Sequence, residues 1–148
     1  MTGGPIRPGL FLQPFVVSQL VGSVIGEIVQ GSGLSGTEFA VVSTLALWDD
    51  PTPTALAHML GMPPTTLSAI LKRLEGRKLV ARARDPNDRR RHVLRLTARG
   101  RRARDRAIER LPDWLGRVRA HLGGDPEEVL EPMRRLEAAL RAALAGGR

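Results

Sequence analysis

At 148 residues and without a single cysteine, the chain is long enough to bury one core of its own and has no means of making a disulfide, thiolate metal site, cysteine nucleophile or thiol redox sensor. Its formal charge of +8 is focal: residues 63–106 hold 15 Lys/Arg against 4 Asp/Glu, or +11, and the remainder 8 against 11, or −3. Charge gathered in this way is the footprint of a polyanion contact, in which neutralised phosphates release counterions; the other reading is a solvated charged face.

The opening MTGGPIRPGL lacks the basic-then-apolar order and small-residue cleavage site of a secretory signal, so a reducing cytoplasm is the expected compartment. From Phe11 to Val29 the spacing predicts a helix, with Leu12, Val16, Leu20, Val24 and Ile28 in one row and Val17, Val21 and Ile25 beside it. A helix apolar around most of its girth must be covered. Gln13, Pro14, Gln19 and Glu27 interrupt it, whereas a membrane span needs roughly 20 predominantly apolar residues, so an intersubunit helix is the better reading.

Ser35-Gly36-Thr37-Glu38 has the spacing of a capping box and opens a second helix to about Trp48, with Phe39, Val42, Leu45 and Ala46 as its apolar face. Asp49-Asp50-Pro51 breaks it. Thr52 then caps a short helix Pro53–Leu60 that has proline at its first position. Gly61-Met62-Pro63 ends that helix and Pro64 opens another, whose Leu67, Ile70, Leu71 and Leu74 face inward. A short helix, a tight glycine turn and a helix of about three turns make a helix-turn-helix, whose second helix can enter a major groove.

The period then changes. Residues 79–84 and 92–96 read as two strands joined by Asp85-Pro86-Asn87-Asp88-Arg89-Arg90-Arg91, a turn by composition. Three adjacent arginines at a hairpin tip repel one another, which makes sense beside phosphates or in a minor groove; Asp85 and Asp88 are expected to brace the turn and its arginines. Thr97 caps a predicted long helix from Ala98 to His121, kinked at Pro112, with Ile108, Leu111, Leu115, Val118 and Leu122 as a packing seam. After Gly123-Gly124, Asp125-Pro126-Glu127-Glu128 starts a last helix carrying Val129, Met133, Leu136, Leu140 and Leu144. Pro132 predicts a bend in it or a late start near Glu131.

The expected fold is mainly α with a small β-hairpin wing. In this order, with TPTALAHMLGMPPTTLSAILKRLEGRKLVAR at 52–82 and DPNDRRRHVLRLTARG at 85–100, the chain resembles the multiple antibiotic resistance regulator (MarR) family over nearly its whole length. The resemblance implies one domain over residues 1–148. Residues 10–31 and 98–146 would be dimerisation helices and 35–97 a winged helix-turn-helix lobe. It also implies a homodimer on a pseudo-palindromic operator, commonly a repressor released by a small aromatic or anionic effector. Three positions depart from the family pattern. Pro63 stands where Ser or Thr usually caps the recognition helix, leaving Thr65 or Thr66 to take over. Lys78 replaces a common glycine, so the turn is either made at Gly76 or strained. Ala69 replaces a long polar residue.

On this reading Thr65, Thr66, Ser68, Lys72 and Arg73 meet DNA from the helix and Arg89, Arg90 and Arg91 from the wing, with Arg73 also able to pair with Glu75 or a wing aspartate. Trp48 and Trp114 are weak candidates for an effector crevice, core packing being the alternative. His58, His92 and His121 lack the spacing of a metal site. With no phosphate loop, nucleophile elbow or paired acids, neither an enzyme nor a cofactor is expected. A sequence-tolerant architectural or RNA-binding protein is the alternative function, although Tyr is absent and the Phe residues fall at 11, 15 and 39, which offers RNA no aromatic platform.

Overall fold

Side chains that accept backbone amides decide where most of the helices begin. A computed structural model describes residues 9–147, and among them are α1 (Leu12–Ile28), α2 (Gly36–Leu47), α3 (Pro53–Met59), α4 (Pro64–Gly76), β1 (Val80–Arg84), β2 (His92–Leu96), α5 (Ala98–Ile108), α6 (Leu111–Leu122) and α7 (Pro126–Gly146). The Ser35 hydroxyl accepts from the Glu38 amide at 3.2 Å while the Glu38 carboxylate accepts from the Ser35 amide at 2.9 Å, closing the expected capping box of α2. Thr52, Thr97 and Asp125 accept from the amides of Ala55, Gly100 and Glu127 and so start α3, α5 and α7. The contacts gather into two units, one running to Leu111 and one from Pro112.

In the first unit the core is built by Val41, Val42 and Leu45 of α2, Leu56 and Ala57 of α3, and Leu67, Ile70, Leu71 and Leu74 of α4, closed by Leu79, Val80, Leu94, Leu96 and Ala103. Each large side chain so buried stabilises the fold by about 1.5–3 kcal/mol. The buried stripe of α2 differs from expectation in two positions: Val41 is in the core and Ala46 is exposed. Ala46 lies a further 100° around the helix from Leu45, past the edge of the stripe.

Gly61, at φ +61°, closes α3 with Met62 N–H donating to Ala57 O and Gly61 N–H to His58 O, the paired bonds of a Schellman motif. The same motif ends α4: Leu79 N–H donates to Leu74 O and Lys78 N–H to Glu75 O, both at 2.9 Å. Its left-handed position is Lys78, at φ +58°. The turn is therefore made at Lys78, with a Cβ in a region where glycine is preferred, and not at Gly76, which is still helical.

The hairpin pairs Val80 with Leu96 through to Arg84 with His92. On the far side of β2 the Leu94 amide donates to Pro51 O at 2.9 Å, tying the wing to the residue that precedes the helix-turn-helix. α5 then crosses very close to the end of α4. A Cβ on Gly100 would stand 2.1 Å from Leu79 O, so only glycine fits there.

The long helix expected from Ala98 to His121 is two helices. α5 stops at Ile108, Glu109 and Arg110 form a turn, and α6 begins at Leu111 with Pro112 in its first turn. Continuing the helix would have set the Pro112 ring against Ile108 O and left that carbonyl without its donor, whereas proline costs nothing in a first turn. Pro132 behaves differently: α7 starts at Pro126 and runs through it, so the late start near Glu131 does not occur.

Many large apolar side chains are exposed among the described residues. On α1, Phe15, Val16, Leu20 and Val21 are exposed and burial begins only at Ile28. In the second unit, α6 and α7 carry ion pairs of 2.8 Å (Arg117–Asp113) and 2.7 Å (Arg134–Glu127) on their polar sides. Their seam residues Leu115, Val118, Leu122, Val129, Met133, Leu140 and Leu144 are all exposed. No described helix is long and apolar enough to cross a membrane.

Candidate nucleic-acid interface

With Leu67, Ile70, Leu71 and Leu74 turned into the core, α4 presents Thr65, Thr66, Ser68, Ala69, Lys72 and Arg73 to solvent. The expectation that Thr65 or Thr66 caps it is not met. Its N-cap is Pro63 and no side chain caps the end, because the proline at the capping position has no side-chain acceptor to offer. The first turn therefore keeps amide donors and the positive end of the helix dipole for an outside acceptor such as a phosphate oxygen.

Arg73 pairs with neither Glu75 nor a wing aspartate. Its Nε lies 3.6 Å from Glu38 Oε1 while its side chain stays about half exposed. Glu75 is instead taken by Arg82, at 2.7 Å. Glu38 proves to have a second role that its position in a capping box concealed: buried to 7% side-chain exposure, it also accepts from Arg77 Nη1 at 3.1 Å. A buried carboxylate needs such partners, and meeting them fixes the end of α4 to α2. The signal, Arg73 and Arg77 one turn apart on α4, was present but did not name the acid.

The wing tip is held by its aspartates, through the backbone. Asp85 Oδ1 accepts from Asn87 N–H at 2.8 Å and Asp88 Oδ1 from Arg90 N–H at 2.9 Å, while Asp85 N–H donates to Arg91 O and Arg91 N–H to Asp88 O. These Asx turns order the loop without neutralising it. Arg89, Arg90 and Arg91 are exposed, and among the described residues no ion pair holds them. One unit thus displays a polar helix face with an uncapped N-terminus and a hairpin tipped by three unpaired guanidiniums.

The family comparison bears on this same stretch. Residues 34–92, from the start of α2 to the start of β2, match the MarR family. They are a MarR family domain. The MarR domain is embedded in a fold shared more widely. The M. tuberculosis transcriptional regulator MosR, in a structure in complex with DNA, is 25% identical, with 88% of this chain and 95% of that one covered at a TM-score of 0.73. BldR from Sulfolobus solfataricus is 22% identical over 86% and 93% of the two chains, with a TM-score of 0.70. A mutant MarR from E. coli, complexed with operator DNA, is 21% identical over 86% and 91%, with a TM-score of 0.71. The last two show likeness of fold alone. No curated protein matches the sequence. The winged helix-turn-helix of the MarR domain is thereby the observed architecture, mostly helical with one antiparallel hairpin.

Trp48 lines a cleft of about 480 Å³ between the end of α2, β2 and α5. In it Asp50 accepts from Arg95 Nε at 2.6 Å, and that hydrogen bond, with the guanidinium charge, holds the Asp50 carboxyl below its usual value. Trp114 lies half-buried on α6 with the Arg117 guanidinium 5.1 Å from its ring centroid, a cation–π contact. Among the described residues no group of three or more His, Cys, Asp or Glu is placed to hold a metal ion.

Proposed function

We propose that this protein is a sequence-specific double-stranded DNA-binding transcription regulator, acting in the cytoplasm as a homodimer on a pseudo-palindromic operator. The observation that carries the reading is the joint display, on one MarR domain, of the α4 polar face and the unpaired Arg89–Arg91 tip. Thr65, Thr66, Ser68 and Lys72 read or border the major groove, Arg73 reaches it from its anchor on Glu38, and the wing arginines serve the flanking minor groove and phosphates. MosR and E. coli MarR, with their DNA-bound structures, support the choice of DNA as partner. A pair of copies accounts for the exposed apolar side chains of α1, and separately for those of α6 and α7. Repression relieved by a small aromatic or anionic ligand completes the reading; the Trp48 cleft supports it by offering one ring beside charged groups of both signs, and Trp114, which does not line that cleft, is a separate candidate on the other unit.

Selection of genomic fragments by the purified protein tests the core of this. Enrichment of one inverted-repeat sequence, bound at least ~10³-fold better than random duplex, is the expected result, that ratio being the low end of specific recognition. Equal binding to every duplex would make the chain a sequence-tolerant architectural protein.

A further inference from the structure

A second cleft of about 470 Å³ is lined by Ser32, Gly33, Arg77, Leu79, Arg99, Arg102, Ala103 and Arg106. It holds four guanidiniums and no carboxylate. The Trp48 cleft on the same unit balances Arg95, Arg101 and Arg104 with Asp49, Asp50 and Asp105, so unbalanced charge is not simply what an arginine-rich chain puts in its hollows. Arg99, Arg102 and Arg106 follow one another at three- and four-residue steps along a single face of α5, where like charges repel.

Two of the four are already fixed in place. Arg77 is held by Glu38 and by Gly33 O, and Arg106 Nη2 donates to Ser32 O at 3.3 Å. The loop that supplies those carbonyls is itself rigid: Ser32 is buried, its hydroxyl donating to Val29 O at 2.6 Å and accepting from Leu34 N–H at 3.1 Å. Arg99 and Arg102 are exposed, and no ion pair takes either among the described residues. A fixed half, in which Glu38 already offsets Arg77, and an adaptable half, with no carboxylate on the lining, make a receptor for a compact, multiply charged oxyanion whose several oxygens take forked guanidinium bonds.

We infer that this cleft is a binding site for a phosphate-class oxyanion, with Arg99 and Arg102 as the groups that close on it. The phosphate belongs either to a free phosphorylated small molecule or to a nucleic-acid backbone, and the chemistry of recognition is the same. The inference does not rest on operator binding, because it concerns the protein without DNA.

Calorimetric titration of the full chain with pyrophosphate, at ionic strength held constant with sodium chloride, tests it. Saturable binding is expected, weakened by at least about tenfold in Arg99→Gln/Arg102→Gln, since a charge-assisted hydrogen bond is worth roughly that factor. The charge-matched Arg119→Gln/Arg135→Gln should bind as the parent does, and circular dichroism should show both variants folded. No saturable heat with the parent chain, or the same loss in both variants, overturns the proposal. The source is then separated on a selected DNA fragment. A salt dependence reduced in the Arg99/Arg102 variant by about 0.9 per lost phosphate contact assigns the cleft to backbone phosphate, and an unchanged slope assigns it to a free anion. If no fragment is selected, the DNA reading fails while the titration still decides this one.

Discussion

Replacing Gly100 with alanine puts two rules in opposition. Position 100 is the third residue of α5, and helix propensity alone favours the change by up to about 1 kcal/mol. The packing says the reverse. An added Cβ would lie 2.1 Å from Leu79 O and 2.6 Å from Leu96 Cδ1, and ordinary contact requires both neighbours to retreat by about an ångström or more. The leucine methyl can turn aside. Leu79 O cannot move freely, because it accepts from Thr97 N–H at 3.1 Å and shares the single Thr97 hydroxyl hydrogen, 3.0 Å away, with Lys78 O at 2.8 Å. Losing the amide bond at about 1 kcal/mol, with overpacking of about 1–3 kcal/mol, gives a net destabilisation of about 1–3 kcal/mol after the propensity gain. That is a large part of the roughly 5–15 kcal/mol that holds a domain folded. Urea melts followed by circular dichroism read it directly. Gly116→Ala is the control, since a Cβ there meets nothing within 4 Å and should be neutral or stabilising by about 0.5–1 kcal/mol. A Gly100→Ala protein as stable as its parent would refute the close approach of α5 to the end of α4.

Lys78→Gly removes a Cβ from a left-handed residue and should raise stability by about 0.5–1 kcal/mol in the same melts, the relief of about 1–2 kcal/mol being partly offset by a freer unfolded chain. Asp50, whose folded pKa lies below its ordinary 3.8, contributes stability above that value that is lost as pH falls through the folded pKa; Asp50→Asn should flatten the acid limb of thermal melts taken from about pH 5 down to about pH 2.5. At a selected operator, Arg89→Ala should cost about 1–3 kcal/mol and relax preference in the flanking A·T steps, with Arg91→Ala doing less; quantitative gel shifts showing equal loss on every flank would reduce Arg89 to a phosphate contact. Leu20→Glu with Val24→Glu should yield a monomer or an unfolded chain by sedimentation and abolish operator binding, and a stable monomer that still binds would end the dimer reading.

What could be read along the chain was what the chain decides locally. Ser35, Thr52, Thr97 and Asp125 cap helices because each reaches an amide two or three residues ahead, and the wing aspartates act over two residues. Pairings across the fold were not legible. Glu38 meets Arg77 across 39 residues of sequence, and no spacing rule says which of several acids an arginine at the end of α4 will choose. Pro112 and Pro132 show the same limit. Both interrupt a helical pattern, yet one falls where two helices can divide around a turn and the other lies within a helix that continues. Which occurs depends on what each flanking segment packs against, and the residue itself does not carry that information. The four-arginine cleft was hidden for a related reason: the charge count over 63–106 was plain, but the gathering of four of those arginines around one hollow needed α5 folded beside the α1–α2 loop.

The bond from the Leu94 amide to Pro51 O has a consequence for how the protein behaves in company. A two-stranded hairpin has two open edges, and unpaired amides along an edge are a template onto which a strand of another molecule can add. Here the amide at the middle of the β2 edge is already occupied from within, by a carbonyl 43 residues earlier in the chain. The opposite strand carries the exposed Arg84, which deters strand addition by charge. The wing can therefore project a flat, extended segment into solvent at high concentration without recruiting its own kind, and a Pro51 region displaced by mutation would reveal itself first as aggregation, before any loss of helix.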